Sequence, residues 1–280
     1  MNDDRNRAAD GNRATEEQQA EDREAEEHTA PAARVVHAAV AEQGKEELKR
    51  PVSSLFWSGI AGGIAIFASV WATGALHHYL PKAEWTPAVS ALGYPLGFLI
   101  VVLGRWQLFT EQTMVAVLPV VRRPSRRGLA ALGRLWSTVL LANMIGAAAA
   151  AALAVFGGAQ PAAILGGVVE ASAKLLERTP IETLCQAIPA GFLIASVAWI
   201  RSAVDDSGFW IVFAITYAIA LCGFAHVIAG AAEAFVLLWH GDAGFGWVLG
   251  GFLLPALIGN IIGGTGLFAL LAHAQVRDEI

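Results

Sequence analysis

The sequence predicts an all-α, polytopic membrane protein with six transmembrane helices, of which the second and the fifth are broken. Of its 280 residues, 55% are hydrophobic and only 15% are charged, whereas a soluble domain carries about 25% charged residues. The apolar residues gather in long runs, near 55–80, 88–121, 131–157, 181–200, 208–240 and 245–273. Each run approaches the roughly 20 residues that a helix needs to cross a bilayer. Polar segments interrupt the runs 88–121 and 208–240.

The N-terminal segment differs in composition from the rest of the chain. Residues 1–50 hold 13 acidic and 8 basic residues, a net charge of −5 that equals the formal charge of the whole protein. High charge at low hydrophobicity predicts a disordered acidic tail over 1–33. Residues 34–50 place apolar side chains at helical spacing and charges on the other faces, which predicts an amphipathic helix on the cytoplasmic side. Residues 51–280 then form the transmembrane domain.

Pairs of glycines four residues apart recur in the apolar runs. This spacing lets helix backbones approach closely in lipid, so it predicts tight helix packing. The pairs are Gly59/Gly63, Gly93/Gly97, Gly246/Gly250 and Gly259/Gly263.

A short loop after the second run carries four arginines within residues 122–127. Positive residues in short loops mark the cytoplasmic side of a membrane. With six spans, this places both termini in the cytoplasm and the protein in the inner membrane. The topology accounts for the cluster, so we expect no nucleic-acid partner.

The two interruptions, 108–113 and 224–230, are where the sequence predicts function. Irregular backbone at membrane depth survives only where it is buried in protein or lines a water-filled cavity. Two such breaks in corresponding halves of a helical membrane protein point to a transport site. Enzymatic sites are not indicated, because the chain has no Ser-His-Asp candidate set, no metal-ligand spacing and no nucleotide-binding glycine loop. We therefore expect no cofactor and no metal.

Five short motifs give the chain a family resemblance. They are GRWQLFT at 104–110, NMIG at 143–146, ASVAW at 195–199, HVIA at 226–229 and GNIIGG at 259–264. In this order, and over residues 46–277, the chain resembles the formate/nitrite transporter family. Its FTEQT variant at 109–113 and its C-terminal residues 268–277 are most similar to the YfdC branch of that family.

The resemblance implies an aquaporin-like fold of two inverted three-helix repeats, assembled as a homopentamer in the lipid bilayer. It implies passage of a small monovalent anion, such as formate or nitrite, in which a central histidine, His226, protonates the anion and bonds to Thr110. It also implies a pathway and a helix-packing motif. The pathway would include Leu108 and Gln112, an inner constriction of Phe98, Phe109 and Ile194, and an outer constriction of Tyr94 and Ile219; the packing motif would be Asn143, Gly146, Asn260 and Gly263.

Elementary electrostatics gives the same mechanism independent support. A bare carboxylate in a low dielectric tends to take up a proton, and histidine titrates close to neutral pH. Two alternatives stay open at this point. His226 could be a neutral histidine satisfied by a helix contact, and the aromatic and aliphatic constriction residues could equally be core packing.

The chain departs from the family pattern at both breaks. Asparagine is usual where Gly191 and Gly230 stand, whereas the acidic Glu111 and Glu233 are additional. Intramembrane acids are costly and usually functional, so we place both on the substrate pathway, although Glu111 could instead pair structurally with Arg105 or His226. The added carboxylates leave two alternatives to anion transport: a pore for a neutral or weakly cationic solute, and a non-conducting membrane scaffold.

Overall fold

The structure is a computed structural model that describes residues 31–204 and 208–280. Almost all of the predicted acidic tail, 1–33, lies outside these residues. The described residues form helices and connecting turns without any strand. In chain order the helices are α1 (Ala33–Lys49), α2 (Val52–Tyr79), α3 (Thr86–Leu103), α4 (Phe109–Gln112), α5 (Leu118–Arg122), α6 (Arg126–Phe156), α7 (Ala162–Ala173), α8 (Pro180–Arg201), α9 (Gly208–Leu221), α10 (Val227–His240) and α11 (Trp247–Glu279).

Five helices, α2, α3, α6, α8 and α11, are long and apolar enough to cross a bilayer. The shorter apolar helices α9 and α10 have 14 residues each and follow one another directly. Together they form one broken span, and α3 with α4 and α5 forms the other. The prediction of a multi-pass helical membrane protein with breaks in its second and fifth spans is therefore confirmed.

In the structure the two breaks are the non-helical segments 104–108 and 222–226, which lead into the predicted interruptions, and each contains a residue with left-handed backbone. In the second break it is Gly223, with φ 67°, and glycine adopts this conformation without steric cost. In the first break it is Arg105, with φ 55°, a conformation that is strained for a residue with a side chain. The strain is held by two backbone bonds, from Arg105 N to Val102 O and from Trp106 N to Val101 O.

Glycines set the helix crossings in both halves of the bundle. A methyl group added to Gly63 of α2 would lie 2.2 Å from the carbonyl oxygen of Asn143, and one added to Gly146 of α6 would lie 2.3 Å from that of Ile60. In the second half, Gly263 of α11 approaches the carbonyl of Ile188 in the same way, at 1.9 Å. Backbone therefore touches backbone where α2 crosses α6 and where α8 crosses α11.

The glycine pair at 246 and 250 behaves differently from the other three pairs. Among the described residues, no atom outside the local helix lies within 4 Å of a methyl group built on either residue. The expected tight packing is therefore absent at this pair within the protomer. Both glycines are exposed and lie near the start of α11, whereas Val248 between them is buried.

Helix α1 packs on one end of the bundle, which we call the α1 face. Its apolar residues Val36, Val40 and Ala41 are buried. Two polar contacts fix its C-terminal end: Arg134 of α6 donates to Leu48 O at 2.6 Å, and Gln107 Nε2 donates to Glu47 Oε2 at 2.9 Å. Because Gln107 lies in the first break, α1 is bonded directly to the segment predicted to carry function.

Candidate functional site

The two breaks meet at the centre of the bundle. Thr110 Oγ1 lies 2.7 Å from His226 Nε2, and both side chains are buried. Thr110 belongs to the first turn of α4, and His226 immediately precedes α10. Residues 116 positions apart in the sequence therefore share one contact, which brings together the two breaks that the sequence singled out.

Two asparagines hold the breaks open in the same way. In the first half, Asn143 Oδ1 accepts from Phe109 N at 2.9 Å, and Nδ2 donates to Gly59 O and Gln107 O at 2.7 and 2.9 Å. In the second half, Asn260 accepts from Val227 N at 2.8 Å and donates to Ala187 O and Ala225 O at 2.8 and 2.9 Å. Each asparagine thus satisfies the backbone groups that a broken helix exposes at membrane depth.

The hydrogen bonds of His226 define its protonation state in the structure. Its Nδ1 accepts from the backbone N–H of Ala229 at 3.2 Å, as a cap on the first turn of α10. A neutral imidazole with an accepting Nδ1 carries its hydrogen on Nε2, so Nε2–H donates to Thr110 Oγ1. Within the described residues the Thr110 hydroxyl makes no other side-chain hydrogen bond. Its hydrogen therefore has no acceptor among the described side chains; Thr110 is fully buried and lines none of the three neighbouring cavities.

Three cavities lie along this contact. The α1 vestibule, of about 460 Å³, lies between α1 and the first break, and its polar lining includes Glu46, Glu47, Arg50, Arg105, Gln107, Glu111, Gln112 and Arg201. The far vestibule, of about 170 Å³, lies on the opposite side of His226, and its lining includes His77, Tyr94, Lys174, Arg178, His226, Glu233 and Phe252.

The third cavity is a narrow apolar slot of about 10 Å³. Its walls are Phe98, Val102, Leu108, Ile194, Val197, Ala198, Val212 and Thr216, with Glu111 at the side of the α1 vestibule. The slot offers about the space of a single water molecule. Phe98 connects it to the centre, since its ring stands edge-on to that of His226 with centroids 4.9 Å apart.

Most of the predicted pathway residues line these cavities. Leu108, Phe98 and Ile194 form the slot, Gln112 and Glu111 line the α1 vestibule, and Tyr94, His226 and Glu233 line the far vestibule. Thr110, Phe109 and Ile219 line none of these three cavities. Phe109 packs edge-on against Trp136 of α6, with ring centroids 5.7 Å apart, and Ile219 is buried in the core.

Neither of the two added acids has a partner within the described residues. The ion pairs there involve other groups, and no side-chain hydrogen bond reaches Glu111 or Glu233. Both carboxylates are partly exposed to a cavity. The pairing of Glu111 with Arg105 or His226, which the sequence left open, is therefore not made.

Five cations that share the vestibules with these acids were not predicted as pathway residues. Arg50, Arg105 and Arg201 line the α1 vestibule, and Lys174 and Arg178 line the far vestibule. The positive charge in the loops of the sequence was visible, but only the fold brings residues from separate segments to one cavity. The far vestibule therefore combines two cations with the single carboxyl group of Glu233, whereas the α1 vestibule combines its cations with the carboxyl groups of Glu46, Glu47 and Glu111.

The two glycines that replace the family's asparagines have packing roles. A methyl group on Gly191 would lie 2.3 Å from the carbonyl oxygen of Asn260, so a side chain does not fit there. A methyl group on Gly230 would lie 2.0 Å from the ring of Phe252. That ring occupies the space beside Gly230 and forms part of the far vestibule wall.

Comparisons with known proteins agree with this architecture. The model of the family described as "Formate/nitrite transporter" matches residues 34–274. The chain is 35% identical over 248 residues to the inner membrane protein YfdC of Escherichia coli (strain K12), which covers 89% of this chain and 80% of that protein. It is 25% identical over 252 residues to the formate channel BtFdhC of Bacillus thuringiensis, covering 86% and 94% of the two chains.

Solved structures show the same fold. A pentameric formate channel with formate bound superposes with a TM-score of 0.70 at 18% sequence identity, over 81% of this chain and 97% of that one. An ion channel of the same family, also with a TM-score of 0.70, is 17% identical and covers 87% and 98%.

Proposed function

The chain belongs to the formate/nitrite transporter family, and from this premise we propose that it carries a small monovalent anion, such as formate or nitrite, across a membrane. The relatives and structural neighbours are transporters and channels and not enzymes. The observation that carries the proposal is the Thr110–His226 contact, which lies between an apolar slot and a vestibule with cations.

The apolar slot determines which form of the solute can pass, the charged anion or the neutral acid. Its apolar walls cannot replace the hydration shell of an anion, and a bare charge in such surroundings is prohibitively costly. A small acid that has taken up a proton crosses as a neutral molecule. The Thr110 hydroxyl can donate to it at the midpoint, because His226 Nε2–H already supplies the hydrogen bond that Thr110 Oγ1 accepts.

The sequence-based hypothesis makes His226 itself the proton donor. That role requires the imidazolium form, in which Nδ1 also carries a hydrogen and can no longer accept from Ala229 N. The cap on α10 would then be lost, at a cost of about 0.5–2 kcal/mol. We therefore propose that His226 and Thr110 form hydrogen bonds to the passing solute. The alternative, to be distinguished by experiment, is that His226 donates a proton to the anion directly.

Orientation and assembly follow from the same family. The four arginines within 122–127 connect α5 and α6 on the α1 face, and positive loops mark the cytoplasm. We assign the α1 vestibule and both termini to the cytoplasmic side of an inner membrane. Similarity to a pentameric channel supports a homopentamer in which each protomer has its own pathway.

The unpaired carboxylates favour a second candidate. Ionised, Glu111 and Glu233 would repel formate and nitrite, and the pathway would then suit a neutral or weakly cationic small solute. The two candidates differ in the solute that moves, so one set of flux measurements separates them.

The test is flux in proteoliposomes, at two pH values, of formate, nitrite and a larger monocarboxylate. We expect formate and nitrite flux to rise on acidification and to fall in His226→Ala. The matched control is His240→Ala, since that histidine is exposed and bonds only to Asp242. Absence of flux for every anion, with uptake of a neutral or cationic solute instead, would replace the first candidate by the second.

A further inference from the structure

Two carboxyl groups stand on opposite sides of the Thr110–His226 contact. Glu233 lines the far vestibule together with His226, and Glu111 lies where the α1 vestibule meets the slot. Both reach a cavity from the two short half-helices, α4 and α10, that begin at the breaks. Each of the two vestibules therefore holds one of the two added acids.

Structural roles do not account for these acids. A buried acid that serves the fold is paired with a cation or accepts hydrogen bonds, and within the described residues neither carboxylate does. Asp and Glu within transmembrane segments are rare and mark substrate paths or proton relays. The carboxyl groups therefore call for a functional explanation.

The Thr110–His226 contact does not explain where the anion obtains its proton. Neutral His226 has a single N–H hydrogen, on Nε2, and giving it up would leave an imidazolate. Charging the ring first costs the Ala229 bond. A carboxylic acid has no such obstacle, because its two protonation states differ by one O–H hydrogen within an unchanged side-chain position.

We propose that Glu233 and Glu111 are the groups that exchange a proton with the transported anion, one in each vestibule. This rests on the proposed function. In the far vestibule, the O–H bond of the Glu233 carboxyl breaks and its proton forms an O–H bond with the anion, leaving a Glu233 carboxylate and a neutral acid. Glu233 then regains a proton from hydronium in the vestibule water.

The second half of the cycle takes place at Glu111. The neutral acid crosses the slot past Thr110, and its O–H proton passes to the Glu111 carboxylate. The anion, charged again, leaves through the α1 vestibule, and Glu111 returns the proton to water. One anion and one proton move together, so the cycle carries no net charge and reverses when the gradients reverse.

The charged surroundings fit this division of tasks. In the far vestibule, Lys174 and Arg178 attract the anion to the cavity that holds Glu233. In the α1 vestibule, Arg50 is paired with Glu47, and Arg105 and Arg201 are the cations that can attract the anion towards Glu111. The titratable and charged groups facing Glu233 are His77 from α2, Tyr94 from α3, Lys174 and Arg178 from the turn after α7, and His226. Those facing Glu111 are Glu46, Glu47 and Arg50 at α1, Arg105 in the first break and Arg201 at the end of α8.

The experiment measures formate uptake and internal pH together, in proteoliposomes that contain the full chain and a pH-sensitive dye. The variants are Glu233→Gln and Glu111→Gln, with Glu84→Gln and Glu42→Gln as controls, because these two acids are exposed on the two faces of the protein. Glutamine keeps the shape of the side chain but cannot titrate. Glu233→Asp and Glu111→Asp restore a titratable group and show that a loss does not come from misfolding.

We expect one proton per formate in the parent and in both controls. Each glutamine variant should lose at least about tenfold in uptake near neutral pH and lose its dependence on external pH, and each aspartate variant should recover that dependence. The proposal is overturned if the parent transports formate while both glutamine variants keep its rate, pH profile and proton ratio. A parent that moves no anion overturns the proposed function as well, so the two failures are distinguishable.

Discussion

Asn143 and Asn260 occupy equivalent positions and make the same three hydrogen bonds, one in each half of the molecule. Asn143 joins α2 to the backbone of Gln107 and Phe109 at the first break. Asn260 joins α8 to the backbone of Ala225 and Val227 at the second break. This internal repetition is the clearest sign of two related halves in the chain. It also shows that the breaks are fixed features of the scaffold.

Replacing either asparagine should destabilise the protein. Asn143→Ala or Asn260→Ala leaves two carbonyls and one N–H buried without partners, and each orphaned group costs roughly 1–3 kcal/mol. We expect a clear fall in the thermal unfolding temperature of the purified protein in detergent. Gln160→Ala is the control, because Gln160 lies in the loop after α6 and is only half-buried, although it too accepts from Trp71 Nε1 of α2 and donates to Ala154 O of α6; an equal fall in that variant would contradict the prediction.

Substitution of Gly263 should be more harmful than substitution of Gly266 in the same helix. A methyl group on Gly263 meets the Ile188 carbonyl at 1.9 Å, whereas one on Gly266 has no atom within 4 Å. Overpacking typically costs about 1–3 kcal/mol. We expect Gly263→Ala to lower the unfolding temperature and Gly266→Ala to leave it unchanged or raise it. If both variants unfold like the parent, the crossing of α8 and α11 is looser than described.

The hydroxyl group of Thr110 should matter more than its bulk. Thr110→Val keeps the volume but leaves the Nε2–H of His226 without an acceptor and offers the solute no donor. The lost hydrogen bond and the orphaned group together amount to about 1.5–4 kcal/mol, so we expect formate flux to fall by about tenfold or more. Thr110→Ser retains the hydroxyl and should retain most of the flux. Equal flux in the valine and serine variants would remove Thr110 from the pathway.

Docking of α1 should depend on pH through His37. This side chain is buried, its Nε2 lies 3.2 Å from Nδ1 of His273, and its own Nδ1 has no partner. Burial, and then the charges of His273 and Arg122, lower the pKa of His37 below its usual value. When α1 is detached, the pKa returns to about 6.5.

The sign of the effect follows from this difference. Above about pH 6.5 His37 is neutral in both states, so docking has its full stability; as the pH falls below that value, the detached state binds protons first and docking weakens. We expect hydrogen exchange of the α1 amides, corrected for its intrinsic rate, to accelerate between about pH 7 and pH 5. His37→Gln should abolish that change, and an identical response in the variant would show that another group is responsible.

The sequence was sufficient for the spans, the breaks and the central contact. Runs of apolar residues reveal helices that cross a bilayer, and Thr110 and His226 stand in the polar interruptions themselves. The direction of the side chains at a break could not be predicted from the sequence, because a non-helical segment has no regular spacing of buried and exposed residues. The resemblance implies a constriction role for Phe109; in the structure its ring packs on Trp136, and the preceding Leu108 lines the slot.

Features made by several distant segments were also beyond the sequence. Lys174 and Arg178 come from the turn after α7 and Glu233 comes from α10, and these distant segments meet only in the folded far vestibule. The glycine pairs show the same limit, since the spacing at Gly246/Gly250 equals that of the packed pairs but no helix among residues 31–204 and 208–280 lies against it. Spacing describes a helix surface, and only the fold determines what covers it.

The matched asparagine bonds have a consequence for protein engineering. By that match, Leu108 and His226 are counterparts, each the last extended residue before a half-helix. The scaffold thus accepts both a hydrocarbon and an imidazole at this position, since the neighbouring asparagine closes the break in either case. Position 108 is therefore a site where a polar side chain could be introduced to change the solute selectivity, while the asparagine hydrogen bonds that hold the break stay unchanged.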